Sequence, residues 1–392
     1  LTADELSLVP RSGLAGGPAA WGKNTSEIYS ERHDTSIKAK DFAPEKLPQT
    51  FKKLTGRGPN RELAEEVLTL GRQEYRLAVE AWERQPDAPE TRAQFLKAIP
   101  HLEKAAERWP DSTIEEDALY MLGESHFFAN QYPKSNKSYE RLVELYPATR
   151  YMDKIQAHRF AIAKYWLDVA QAAPPLSSPL NLTNQQYPLN DWAGHGRRVL
   201  DRIRLDDPTG KLADDATFLL GKALHDNHQY FEAAETFADL RTNYPGSTHQ
   251  FNAHLMEFQS RLAMYDGKYY EGLPLKQAEE VLRLILRRFP TESADLREEL
   301  SQQAASIRNM LAERDMAMAD YHLHRGENLA ARFYLAKLIE GFPETDVAQT
   351  AKGKLDDLEG KPDEPTQVAK WLVDAFPEPQ STRPLIRSGN LK

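Results

Sequence analysis

Cysteine is absent from all 392 residues. That excludes disulfides, thiolate metal sites, iron–sulfur clusters and cysteine nucleophiles. Positive charge is in the minority: 50 Lys and Arg stand against 59 Asp and Glu, a net charge of −9. This argues against nucleic-acid recognition through a basic surface. No apolar run approaches the roughly 20 residues that a membrane-spanning helix needs. GxGxxG, P-loop and GxSxG patterns are missing too, so the commonest nucleotide and acyl-transfer sites have no signature here. Leu1 stands where Met would, and is expected to follow a removed stretch, either a vector-derived end or a processed targeting segment.

What is present is uneven along the chain. Residues 1–60 hold Pro10, Gly13, Gly16, Gly17, Pro18, Gly22, Pro44 and Pro48 and no sustained apolar period. They read as an extended N-terminal arm of about +2 charge. Residues 361–392 read as a short helix near 366–376 and a tail, and the stretch from Pro377 onward is also about +2. The body between these arms is therefore strongly acidic. The arms are either frayed ends or segments that fold on a partner.

The body repeats. An aromatic residue, then Pro, then a polar stretch with Ser or Thr recurs as Trp109-Pro110-Asp111-Ser112, Tyr146-Pro147-Ala148-Thr149 and Tyr244-Pro245-Gly246-Ser247. It returns at Phe289-Pro290 before Ser293, and at Phe342-Pro343-Glu344-Thr345. Proline restrains the residue before it and cannot continue a helix. The hydroxyl that follows can cap the next one. Two stretches, Asp117–Pro147 and Asp215–Pro245, share the same offsets, with Gly123 and Gly221 each 24 residues before the Pro. A small residue, an aromatic and a Pro at this spacing resemble the tetratricopeptide repeat. Looser copies hold Gly71 in a first helix, run from Tyr151, carry Ala278, Leu282 and Ile285 in the second helix of a fifth, and pair Ala319 with Ala331, Leu335 and Leu338 in a sixth. The first has a gap stretched over Gln85–Thr91, and the copy after Tyr151 carries a Pro-rich insertion at 172–192. A helix near 345–359 would cap the stack. The expected fold is all-α: a tetratricopeptide-repeat superhelix of about six helix pairs over 61–360, with a concave groove.

Chemistry-bearing clusters are few. His225 and His228 share helical spacing, but His228 falls in a turn and no third ligand is evident. Asp206-Asp207 reads as a turn, and Asp214-Asp215 as acids at a helix start. Asn181-Leu182-Thr183 matches a glycosylation triplet, a pattern that arises often by chance. No catalytic constellation, cofactor or metal site is expected. Positions 2, 5, 9 and 12 of each first helix tend to face the concave side. They give Leu68, Arg72 and Tyr75 in the first copy, and Asp117, Tyr120, Glu124 and Phe127, with Phe128 adjacent, in the second. The fourth copy gives Asp215, Phe218, Lys222 and His225. Interleaved aromatic and charged residues suit an extended peptide. Equally, the aromatics could pack against the next repeat.

The run WPDSTIEEDALYMLGESHFFANQYPKSNKSYERLVELYPATRYMDKIQAHRFAIAKYWL, from Trp109 to Leu167, resembles the BamD family of bacterial outer-membrane lipoproteins. The resemblance covers roughly 90–260 well and 261–350 more loosely. It implies a non-catalytic helical scaffold at the periplasmic face of the outer membrane. The implied partners are a barrel-forming assembly protein and unfolded client proteins, with other envelope proteins possible, and membrane association would be peripheral or through a removed lipid anchor. Family members are shorter, start at a lipidated Cys, and lack the insertion and the long arm. Related repeats also serve periplasmic cell-division and polysaccharide-export complexes, so a general envelope adaptor is the alternative.

Overall fold

The computed structural model describes residues 58–86, 88–172 and 180–365, with Trp371 and Ala375. The arm at 1–57 and most of the helix and tail expected after 365 lie outside the described residues. Thirteen helices and no strand occur among them: α1 Arg61–Arg84, α2 Pro89–Arg108, α3 Thr113–Phe128, α4 Tyr132–Leu145, α5 Met152–Ala172, α6 Trp192–Asp206 and α7 Ala213–Asp226. There follow α8 Tyr230–Asn243, α9 Gln250–Ala263, α10 Leu273–Arg288, α11 Arg297–His324, α12 Asn328–Gly341 and α13 Asp346–Asp356. The fold is all-α and built of tetratricopeptide-type helix pairs. The residues divide into two compact units, up to Ser260 and from Arg261.

The aromatic–Pro phrase does the stopping expected of it. Tyr146, Tyr244, Phe289 and Phe342 are each the C-cap of a helix, and each donates its amide to the carbonyl four residues back, over 2.8–3.0 Å. The capping half of the expectation holds at two places. Ser112 accepts from the Glu115 amide at 3.3 Å and Thr345 from the Ala348 amide at 3.3 Å. Elsewhere the hydroxyl is spent differently: Thr149 donates to Glu116 at 2.7 Å, and Ser293 to the Phe289 carbonyl at 2.6 Å. The stretched gap of the first copy is shorter than expected, because Pro89 opens α2 as its first residue. A proline at that position loses no helical hydrogen bond.

In three helix pairs of unit 1 the small residue of the first helix meets a large one of the second. A Cβ built on Gly71 would lie 2.8 Å from Leu102, one on Gly123 2.3 Å from Tyr139, and one on Gly221 2.7 Å from Phe237. Close helix approach therefore rests on a missing side chain at one fixed repeat position. Val67, Leu68, Leu102, Leu119, Leu122, Tyr139 and Leu142 form one buried cluster. Phe95, Phe127, Ile162, Trp166, Leu200 and Leu220 form a second, running from α2 into α7.

The described part of the insertion is an ordered loop. The Asn181 side-chain amide donates to the carbonyls of Asn184 and Tyr187, at 2.6 and 2.9 Å, and its oxygen accepts from the Asn184 amide. A nitrogen so engaged is not presented for glycosylation. The loop is tied to α5, where the Trp166 indole donates to the Gln186 carbonyl at 2.8 Å and Tyr165 meets the Tyr187 hydroxyl at 2.7 Å.

Unit 2 is centred on Ala312, Ala319, Ala331, Leu335, Leu338, Ala348 and Ala351. Ala319 takes the place that glycine has in unit 1. Arg308 gathers this unit: it pairs with Glu279 of α10 and with Glu344, and donates to the Gly341 carbonyl. Beyond α13 the chain turns back across the start of α12. There the Leu329 amide donates to the Asp363 carbonyl at 3.1 Å and Arg332 pairs with Asp363.

Candidate protein-interaction surface

The expected concave residues of the first two copies meet in one polar and aromatic cluster, most of it buried. Glu124 of α3 is fully buried. Its carboxylate accepts from the Tyr139 hydroxyl at 2.6 Å and from Tyr75 at 3.4 Å, and lies 2.6 Å from His158 Nδ1. Burial pushes this carboxyl up, but His158 and the hydroxyls of Tyr139 and Tyr120 outweigh it and hold Glu124 below the usual carboxylate range. The phenols of Tyr75, Tyr120 and Tyr139 are pushed well above theirs by burial and by the Glu124 charge.

Two turns earlier on α3, Asp117 is buried under two arginines. Arg72 donates to it at 2.6 Å, Arg150 pairs with its other oxygen, and the Tyr151 hydroxyl donates at 2.7 Å. The Arg72 and Arg150 side chains are 41% and 44% exposed. They form the polar rim of the cluster. Tyr120 stacks on Tyr151 with centroids 3.9 Å apart and planes 5° apart. Phe127 stacks on His158 at 4.1 Å, and Phe128 on Phe95 at 5.1 Å.

The same device recurs in the next matched repeat. Phe218 stacks on His249, with centroids 4.5 Å apart and planes 3° apart, while His249 Nε2 lies 2.6 Å from Asp215. Asp117, Tyr120 and Tyr151 thus correspond to Asp215, Phe218 and His249, with the third member 34 residues beyond the first in both. An acid and an aromatic on one first helix are locked by a polar aromatic from the next. Tyr120, Glu124, Phe127, Phe128 and Asp117 therefore pack between helices, which is the second of the two arrangements open in the sequence. Arg72 and Tyr75 stay half-buried. Phe218 is half-buried and Lys222 exposed beside a 220 Å³ pocket with Leu167 and Ala223. The two sets, Arg72 to Phe128 and Phe218 with Lys222, belong to separate clusters.

Several members carried no signal in the sequence. Arg159 is fully buried, pairs with Asp206 at 2.8 Å and donates to Asn136 at 3.2 Å. Asp206, expected only as a turn residue, is the last residue of α6 and anchors that arginine. Glu115, also buried, takes Arg141 at 2.7 Å, the Tyr146 hydroxyl at 2.9 Å and the Asp111 amide at 2.8 Å. The only sequence signal for these pairings is the 34-residue offset, and it singles out Tyr151 and His249 alone. Paired carboxylates of this kind hold a core in one arrangement. Among the described residues no group of three metal-ligating side chains occurs. His225 bonds Ser260 at 2.9 Å and His228 bonds Tyr230 at 2.7 Å.

His126 gives this unit a pH dependence. Burial, aided by the Lys134 charge, lowers its pKa to about 4 despite a 2.9 Å bond to Gln131. In the unfolded chain it titrates near 6.5. The unfolded state therefore binds the extra proton between these values, so stability is full above about pH 6.5 and falls as pH drops toward 4. At pH 4.5 the loss from this group is roughly 2–3 kcal/mol. Unfolding free energies from denaturant curves at pH 7.5 and 4.5 should differ by that much more in the wild type than in His126→Gln. Equal pH dependence in the two proteins would remove the assignment.

The sequence matches the YfiO family, described as outer membrane lipoprotein, over residues 185–355. It matches a tetratricopeptide-repeat family over residues 117–149. Among solved structures, the C-terminal part of a tetratricopeptide-repeat-containing protein from Cytophaga hutchinsonii is similar at 11% identity, over 74% of this chain and 99% of that one, with a TM-score of 0.28. No curated protein matches.

Proposed function

From the premise that this is a BamD-like tetratricopeptide-repeat protein, we propose that it is a non-catalytic scaffold of outer-membrane β-barrel protein assembly, held at the periplasmic face of that membrane. The observation that carries this reading is the match to the outer membrane lipoprotein family over 185–355. The geometry agrees with a binding role. The buried acids Asp117, Glu115 and Glu124 are all spent on internal partners, which leaves recognition to partly exposed groups. In this reading unfolded client segments meet the rim formed by Arg72 and Arg150, whose guanidinium groups Asp117 orients toward backbone carbonyls or carboxylates. Lys222, beside Phe218, offers a second cationic contact, and the barrel-forming partner docks elsewhere on the repeats.

The test is gentle solubilisation of native envelopes and isolation of this protein with its companions. The expected result is a stoichiometric outer-membrane barrel protein that has periplasmic domains. A different companion set without such a barrel would overturn the assembly reading and leave a general envelope adaptor.

A further inference from the structure

The described loop residues before α6, 180–191, combine a lack of charge with an exposed apolar surface. From Val169 to Asn190 the sequence runs 22 residues without Asp, Glu, Lys, Arg or His, in a chain that is 28% charged. Within that run Leu180, Leu182 and Leu189 are 62%, 80% and 54% exposed. The Asn181 amide donates to the Leu189 carbonyl at 2.7 Å, so all three leucines lie within one residue of a single hydrogen bond. The loop is tied down beneath them. The rings of Tyr132, Tyr165, Tyr187 and Trp192 follow one another with centroids 5.4, 5.5 and 4.9 Å apart. The Trp192 indole donates to the Pro188 carbonyl at 3.1 Å. Apolar rings are thus at hand, yet the leucines stay in water. A loop ordered in that state is a preorganised apolar contact.

We propose that this loop is a membrane-surface contact, with Leu180, Leu182 and Leu189 entering the acyl boundary of a lipid bilayer. Two observations select lipid over a protein partner. The first is charge. A protein interface is rimmed by polar and charged groups, whereas entry into a bilayer is costly for any charge. Here charge returns only at Asp191, which caps α6 and lies 3.5 Å from Arg198. Tyr187 and Trp192 stand between the leucines and that pair in the chain, and amphipathic rings suit the headgroup level. The second is area. The three exposures amount to about two whole leucine side chains, far below the roughly 800 Å² per partner of a stable protein interface. In lipid the same area favours the bound state by roughly 10²- to 10⁴-fold, which gives a reversible, peripheral contact. The inference deepens the reading above and rests on it for which membrane is met.

The test mixes the full chain with phosphatidylcholine–phosphatidylethanolamine vesicles. No assembly partner is present, so this inference and the assembly reading can fail separately. The absence of cysteine lets an environment-sensitive dye be placed at the exposed Thr183→Cys. Vesicles should shift its emission to the blue and carry the chain upward on flotation. Both effects should persist in about 0.5 M salt, because an apolar contact is not screened. Leu182→Ser with Leu189→Ser should weaken vesicle binding by roughly tenfold or more. Its melting temperature should not change, since both side chains are exposed. Leu205→Ser, at a leucine of α6 that is 57% exposed, should bind as the unsubstituted chain does. No flotation of the unsubstituted chain, or full binding by the double variant, would overturn the proposal. Binding that disappears in salt would overturn it as well and assign the attraction to charge. A companion protein lost from solubilised envelopes in the double variant, with no vesicle binding by either chain, would give the loop to a protein partner instead.

Discussion

Gly123→Leu should cost unit 1 more than about 3 kcal/mol, beyond the ordinary range for an overpacked core. Even the first added carbon would lie 2.3 Å from the Tyr139 ring. That ring has no room to yield. Its hydroxyl is held by Glu124 at 2.6 Å and His158 at 2.9 Å, and its side chain is fully buried. Moving it would leave a buried carboxylate short of donors, a second penalty of about 1–3 kcal/mol. Against a total stability of roughly 5–15 kcal/mol, loss of the folded unit at 37 °C is the expected outcome. Gly353→Ala is the control. Gly353 sits in α13 with no atom within 4 Å of an added Cβ, and alanine there should stabilise by roughly 0.5–1 kcal/mol. Urea denaturation followed by circular dichroism reads both. An unchanged midpoint for Gly123→Leu would show that the helix pairing is misassigned.

Phe127→Ala should lower stability by about 3–5 kcal/mol. Phe127 is 2% exposed and touches the rings of His158, Phe128 and Tyr132 at 4.1, 5.3 and 5.7 Å. A surface anchor for a client peptide would behave in the opposite way, losing affinity with its melting temperature intact. The two readings therefore separate in one pair of measurements, a denaturant curve and a titration with an unfolded client segment. Full stability with weakened client binding would restore Phe127 to the interaction surface. Tyr120, stacked on Tyr151, should follow Phe127.

Much of the fold was legible before any coordinates. Helix ends and the repeat offset that sets Gly123 and Gly221 apart follow from local rules; that Tyr139 and Phe237 fill the space beside them came with the structure. Proline stops helices wherever it stands, and a small residue at a fixed offset marks where two helices touch. What the sequence left open was the direction of the first-helix residues. Tyr120, Glu124 and Phe127 stand at positions that tend to face a groove, yet whether such a face is open depends on a residue a full repeat away. Tyr151 and His249 close it in unit 1. The pairing of Arg159 with Asp206, 47 residues apart, was equally hidden, because charges pair across space and leave no period in the chain. The sequence by itself determined the helices and their pairing, which depend on spacings within some 30 residues. Only the tertiary structure decided which faces are surface, because burial belongs to the packed neighbours and to no single helix.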